Sequence, residues 1–316
     1  MIERHARIVD RALTRLKLRQ LRLLVAVGTY GNIQNAARSL GISQPAATKM
    51  IQDLELDFEV SLFNRTNRGV VPTVFGETLI RHGKLIFAQI SNAAQELDDL
   101  SEGSAGRVVV GTLLAASASL LPQAIDLLLA ERPNVAVKIS EGTNEVLMPG
   151  LLSGEIDMVV GRLPSHRHRN KIKQEKLFED RILAIAGPGH PLAEKKGITF
   201  AQTKPFGWIL PPPETTLRRQ VDHFFVGQQQ YVPPVSIESV SYLTNRALLL
   251  SRHLVGLMPA EVVAEDIRNG HLVKLDWTVP FGHRPIGLSL RADGELSPAG
   301  RAFKTALHVA ARSRQA

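Results

Sequence analysis

The chain has 316 residues, a formal net charge of +8 and 44% hydrophobic residues, so it is long enough for two or three cores and basic enough to favour a polyanionic partner. It contains no cysteine, which excludes disulfides, thiolate metal sites and cysteine nucleophiles. No apolar run forms an amino-terminal signal segment or approaches the roughly 20 residues of a membrane span, so the expectation is a cytoplasmic protein with no membrane partner.

Before position 50, Arg4, Arg7, Arg11, Arg15, Lys17, Arg19, Arg22, Arg38 and Lys49 face only Glu3 and Asp10. Such clustering attracts a phosphate backbone without specifying a sequence. Within this basic segment, residues 32–55 hold two short helical patterns about a glycine turn. Ile33, Ala36, Ala37 and Leu40 share one helical face, and Gly41 ends that helix in a conformation that needs no Cβ. Ile42 can fold back as an apolar plug. Ser43 can cap a second helix, with Pro45 in its first turn, where no intrahelical donor is lost. There Ala47, Met50, Ile51 and Leu54 repeat the spacing, so Gln44, Pro45, Thr48, Lys49 and Gln52 face outward. Gln can pair bidentately with adenine, Thr can touch a thymine methyl and Lys can reach guanine or phosphate, the chemistry a helix needs in the major groove of double-stranded DNA. A solvated helical hairpin would show the same apolar spacing. The basic surroundings favour the DNA reading, and Gln34 on the first helix joins its candidate contacts.

Leu62-Phe63 and Val70-Val71-Pro72 flank Asn64-Arg65-Thr66-Asn67-Arg68-Gly69, a small hairpin with Arg65 and Arg68 near its tip. A winged helix-turn-helix sets such a hairpin against the DNA backbone or minor groove. Thr73 can then cap a long helix whose Leu79, Gly83, Ile86, Ile90, Ala93, Leu97 and Leu100 alternate in steps of four and three. That heptad seam predicts pairing with a second copy, and a twofold pair can read half-sites roughly 34 Å apart. The polar joint Ser101-Glu102-Gly103-Ser104-Ala105-Gly106 marks a boundary. The expected domains are therefore 1–72, a linker and dimerisation helix with hinge over 73–105, and 106–316.

The last domain alternates strand and helix. Strands are expected over 108–111, 135–140 and 157–161 with helices over 120–130 and 146–152, then strands over 181–186, 208–210, 235–238 and 255–258 with helices over 217–225, 242–250 and 260–267. A final strand over 286–290 and helix over 298–310 close the chain. Two α/β lobes follow, one about 106–172 with 285–312 and the other about 173–284. Ligands of open α/β sheets bind at the carboxyl ends of strands, which selects Ala115, Ser117, Thr143, Asn144, Gly161 and Arg162 in the first lobe and Pro213, Thr215 and Ser239 in the second. Each of these Ser and Thr residues can equally serve as a plain helix cap.

The sequence resembles the LysR-type transcriptional regulators. The carrying residues are Leu21-Arg22-Leu23-Leu24-Val25-Ala26-Val27, Ala36-Ala37-Arg38-Ser39-Leu40, Ser43-Gln44-Pro45-Ala46, Leu54-Glu55, Leu62-Phe63-Asn64-Arg65, and Pro72-Thr73 with Gly76. Weaker support comes from Leu121-Pro122, Gly154-Glu155-Ile156-Asp157, Gly189-His190-Pro191-Leu192 and Leu257-Met258-Pro259, and Arg252-His253-Leu254 replaces a glycine-rich turn. The resemblance implies that Ser43, Gln44 and Pro45 begin the recognition helix, that Arg65 and Arg68 lie in or beside the wing, and that Leu79, Ile86, Ile90, Ala93, Leu97 and Leu100 form the dimer. It also implies a two-lobed effector domain similar to periplasmic ligand-binding proteins, in which Ala115 and Thr143 match inducer-contacting positions. Ala115 replaces a hydroxyl residue there and cannot donate.

An enzyme is disfavoured. His166-Arg167-His168-Arg169 lacks a nearby carboxylate and metal-ligand spacing, and no GxSxG elbow, phosphate loop or dinucleotide fingerprint is present. The expectation is an effector-responsive regulator, homodimeric or homotetrameric, with no cofactor or metal. Its small-molecule effector is a carboxylate or a sugar, and RNA polymerase is a further partner.

Overall fold

A computed structural model describes residues 2–67, 69–102, 106–164, 171–227, 235–281 and 284–314. The chain divides into two compact units, Met1–Ala94 with Ser153–Glu155, and Gln95–Leu152 with Ile156–Ala316.

The first unit contains helices α1 (Ile2–Arg15), α2 (Leu18–Tyr30), α3 (Ile33–Ser39) and α4 (Gln44–Phe58), then strands β1 (Phe63–Thr66) and β2 (Gly69–Pro72). Helix α5 (Val74–Glu102) follows, 29 residues and about 43 Å long. Leu21, Leu24 and Val27 of α2 bury themselves against Ala36 and Ala37 of α3 and Ala47, Ile51 and Leu54 of α4, with Leu62 closing the core. Capping starts each helix: Asn32 accepts the Asn35 N–H at 3.1 Å, and Ser43 accepts that of Ala46 at 3.4 Å. Between them Gly41 sits at φ +64°, and Ile42 returns its N–H to the Ala37 carbonyl at 3.0 Å and packs on the core. The apolar spacing did not foresee α1, where Arg11 pairs with Glu59 at 3.0 Å.

The expected seam of α5 divides. Leu79 packs on the unit's own core, and a Cβ on Gly83 would stand 3.2 Å from Val25 Cγ2, so both face inward. Ile86, Ile90, Ala93 and Leu97 are exposed along the continuing helix, and Leu100 lies outside the residues whose side chains are described.

The second unit opens with β3 (Arg107–Thr112), α6 (Leu114–Ser117), α7 (Leu120–Glu131), β4 (Ala136–Glu141), α8 (Asn144–Ser153), β5 (Met158–Arg162) and β6 (Ile172–Asp180). It continues through β7 (Ile182–Ala186), α9 (Phe200–Thr203), β8 (Gly207–Leu210), α10 (Thr216–Gly227), β9 (Val235–Glu238), α11 (Tyr242–Ser251), β10 (Leu254–Pro259), α12 (Ala260–Arg268), β11 (Val273–Lys274), β12 (Arg284–Arg291) and α13 (Pro298–Arg312). One sheet has the order β4-β3-β5-β12-β6 and the other β11-β7-β10-β8-β9. In the first, β3 runs parallel to β4 and β5 while β12 is antiparallel to both its neighbours; in the second, β8 runs parallel to β9 and β10. The chain crosses between lobes at Arg181 and again on the way to β12.

Strand β6 corrects the expected lobe boundary. Residues 173–180 belong to the first lobe, because β6 pairs along β12 from Ile172 opposite Arg291 to Asp180 opposite Arg284. It is an edge strand, and the run of four polar residues from Lys173 to Lys176 hides its membership of the sheet. Under the first sheet, Val108, Val110, Leu120, Leu128, Phe303 and Leu307 form the core; under the second, Trp208, Phe225 and Leu257 do so with Phe200 and Trp277 against them. Despite Arg252-His253 before it, β10 is regular and fully buried.

Candidate DNA-reading surface and effector cleft

On α4, burial of Ala47, Ile51 and Leu54 leaves Gln44, Pro45, Lys49 and Gln52 exposed and Thr48 half-exposed on the opposite face. Ser43 is the cap of this helix, and Gln34 is exposed on α3. Arg65 is exposed on β1, opposite Val70. Arg68 and the cluster His166-Arg167-His168-Arg169 lie outside the described residues. Two hydrogen bonds fix the hairpin relative to the helices: Val70 N–H donates to the Gly31 carbonyl at 2.8 Å, and Glu55 Oε1 accepts the Leu62 N–H at 2.7 Å. Glu55, in the last turns of α4, therefore couples recognition helix to wing, a role its motif alone did not disclose.

In the second unit, the carboxyl ends of β3, β4, β5, β8, β9 and β10 converge on a cavity of about 490 Å³. Ala115, Thr143, Asn144, Arg162, Thr215 and Ser239 line it, as the strand-end rule predicts. Ser117 and Pro213 do not. The Ser117 hydroxyl donates to the Leu114 carbonyl of its own helix at 3.0 Å, and Pro213 is exposed at the loop surface. A positive φ of +147° at Gly161, where a Cβ would lie 2.6 Å from Leu113 Cβ, brings β5 against the β3 loop and sets Arg162 in the wall.

Arg162 donates to Asp180 at 2.8 Å with both side chains buried. Burial raises the Asp180 carboxyl above its ordinary range, although the Arg162 guanidinium opposes that shift. Across the two lobes, Arg219 of α10 lies 3.4 Å from Glu145 of α8. Glu141, Glu145, Tyr242 and Asn245 also line the cavity and were missed from sequence: Glu141 ends β4, Glu145 and Tyr242 lie at the starts of α8 and α11, and Asn245 sits one turn inside α11. Tyr242 donates its hydroxyl to Asp266, which Arg246 also meets at 2.7 Å and His271 at 3.0 Å. Elsewhere the weak motif ending in Asp157 is explained: its carboxylate accepts the Val109 N–H at 2.7 Å and joins β5 to β3.

A helix-turn-helix with a hairpin wing in one unit, and a two-lobed α/β cleft in the other, define a DNA-binding protein with an effector module. Residues 18–77 match the family model described as bacterial regulatory helix-turn-helix protein, lysR family, and residues 101–312 match the LysR substrate binding domain. The chain is 32% identical to the HTH-type transcriptional regulator GbpR of Azospirillum brasilense over 94% of this chain and 87% of that protein. It is 30% identical to the HTH-type transcriptional regulator PcaQ of Agrobacterium fabrum over 90% of this chain and 91% of the relative. Among solved structures, the LysR family transcriptional regulator CbnR aligns with a TM-score of 0.63 at 20% identity, over 94% of this chain and 99% of that one. The chain belongs to the LysR-type transcriptional regulators, DNA-binding proteins with an effector-binding domain. Among the described residues, no helix is long and apolar enough to cross a membrane.

Proposed function

We propose that this chain is a sequence-specific regulator rather than an enzyme, acting in the cytoplasm on double-stranded DNA as a homodimer or homotetramer paired through the exposed part of α5. Its engagement with DNA changes when a small molecule occupies the cleft between the two lobes. The observation that carries this reading is the cavity at the carboxyl ends of strands from both lobes, in the same chain as a helix with an exposed polar face. An effector there shifts a conformational equilibrium only by its preference for one state over the other, and RNA polymerase is the partner that such a shift would serve.

Within the first unit, Gln44, Thr48, Lys49 and Gln52 read base edges, and Arg65 neutralises phosphate. Binding to the chain's own upstream DNA across a salt series, against a scrambled duplex, tests this. Gln44→Ala is expected to relax discrimination between the two duplexes. Arg65→Ala weakens both and reduces the salt slope by about 1. Equal binding of the unaltered protein to both duplexes would leave electrostatic attraction alone and defeat the proposal.

A further inference from the structure

We propose that the effector is an uncharged, polyhydroxylated molecule of sugar chemistry and not a carboxylate, an inference that rests on the cleft being the effector site. The cation in the cleft wall and the first turns of α8, α10 and α11 already meet groups of the chain itself. Arg162 is committed to Asp180, with side chains only 6% and 1% exposed. Helix α8 carries Glu145 in its first turn, where a negative charge complements the helix dipole. At α10 the Thr215 hydroxyl accepts the Arg218 N–H at 3.3 Å, and at α11 Ser241 accepts that of Thr244 at 3.4 Å. The Ala115 side chain offers no donor.

What the wall leaves unpaired are acceptors. Asn144 and Asn245 are 8% and 4% exposed, and each donates its amide Nδ2 to a backbone carbonyl at 3.4 Å, of Arg162 and Ser239 respectively. A carbonyl cannot donate, so those bonds fix the orientation of both amides and leave each Oδ1 without a partner. Glu145 Oε2 is likewise buried without a partner, and Glu141 adds a second carboxylate to the wall. Buried acceptors carry a desolvation cost until a donor meets them. Hydroxyl groups supply such donors, whereas a carboxylate would bring like charge and further lone pairs. Because Asn144 and Glu145 belong to one lobe and Asn245 to the other, a single polyol can satisfy both lobes at once. Leu113, Val240, Tyr242 and Leu243 provide apolar surface for the C–H faces of such a ligand.

The test is thermal shift and titration calorimetry on the full chain with neutral aldopentoses, aldohexoses and inositols, beside the matching uronic acids and benzoate. At about 10 mM, at least one neutral polyol is expected to raise the melting temperature by several degrees, and its uronic acid is not. Asn245→Leu and Asn144→Leu, each with native circular dichroism, should weaken that polyol about tenfold. Binding by the acids with none by the neutral compounds overturns the proposal, as does no shift with any neutral polyol. The comparison of sugar with sugar acid on the unaltered chain stands even where a variant fails to fold. Ala115→Phe, which fills the cavity, separates the two levels: a polyol shift that survives it removes the cleft as the site, while one that disappears keeps the ligand there.

Discussion

Glu55 lies among the last turns of α4, yet its carboxylate accepts the backbone N–H groups of Leu62 at 2.7 Å and Phe63 at 3.4 Å. Removing a charged acceptor from a half-buried N–H costs about 1.5–3 kcal/mol. Glu55→Ala should lower urea stability by that order and weaken DNA binding through a displaced wing. Unchanged stability would mean that water replaces the carboxylate. His190 poses a different question. Burial, with a smaller push from His253, holds its imidazole at about 4, below the ordinary 6.5, and its Nδ1 accepts the Leu192 N–H at 3.1 Å. Since the folded value is below the unfolded one, the neutral ring's contribution is complete above about pH 6.5 and is lost as pH falls toward 4. Asp266 titrates lower: the Arg246 hydrogen bond, followed by those of Tyr242 and His271, holds it at about 2, so its stabilisation is lost as pH falls from 3.8 toward 2. A urea midpoint measured against pH should decline in the upper window, and His190→Leu should flatten that decline. An identical decline in the variant would assign it to another group.

At the scale of elements, helix spacing was legible where one face alone is buried. Residues 33–40 and 47–54 were read correctly because a two-helix hairpin exposes its other faces to water and keeps a clean period. Gly41 was legible for the same local reason. With no atom within 4 Å of a Cβ at that position, Gly41→Ala should cost only the left-handed strain, about 1–2 kcal/mol, read from thermal denaturation. Helix α5 was read as one seam, but its apolar positions serve two surfaces. Leu79 and Gly83 face the unit's own core, whereas Ile86, Ile90, Ala93 and Leu97 remain exposed. Ile90→Lys should therefore dissociate the oligomer with little change in helix content, as light scattering and circular dichroism would show. Oligomers that persist would move the interface elsewhere. Strand β6 escaped notice because the four polar residues Lys173 to Lys176 interrupt its apolar pattern, and helix α1 because its arginines were read for their charge and not for the amphipathic period they share with Val9 and Leu13.

Across the whole molecule, two units with separate cores predict two responses to ligand. Calorimetry should show that an effector raises the transition of the cleft-bearing unit and that operator DNA raises that of the helix-turn-helix unit, each by mass action. One transition raised equally by both ligands would instead show the units unfolding together.

The sequence by itself determined the elements of the reading unit, the alternating order of the effector unit and the family, since apolar period, caps and turn glycines act over a few residues. About a quarter of the cleft lining was legible in the same way, through residues at or soon after strand ends. Only the tertiary structure decided that Arg162 pairs with Asp180, that Asn245 of one lobe shares a cavity with Asn144 of the other, and that β6 completes the first sheet. Those relations join residues far apart in the chain, and long-range pairing and burial, which no local period encodes, set their charge balance and hydrogen bonding.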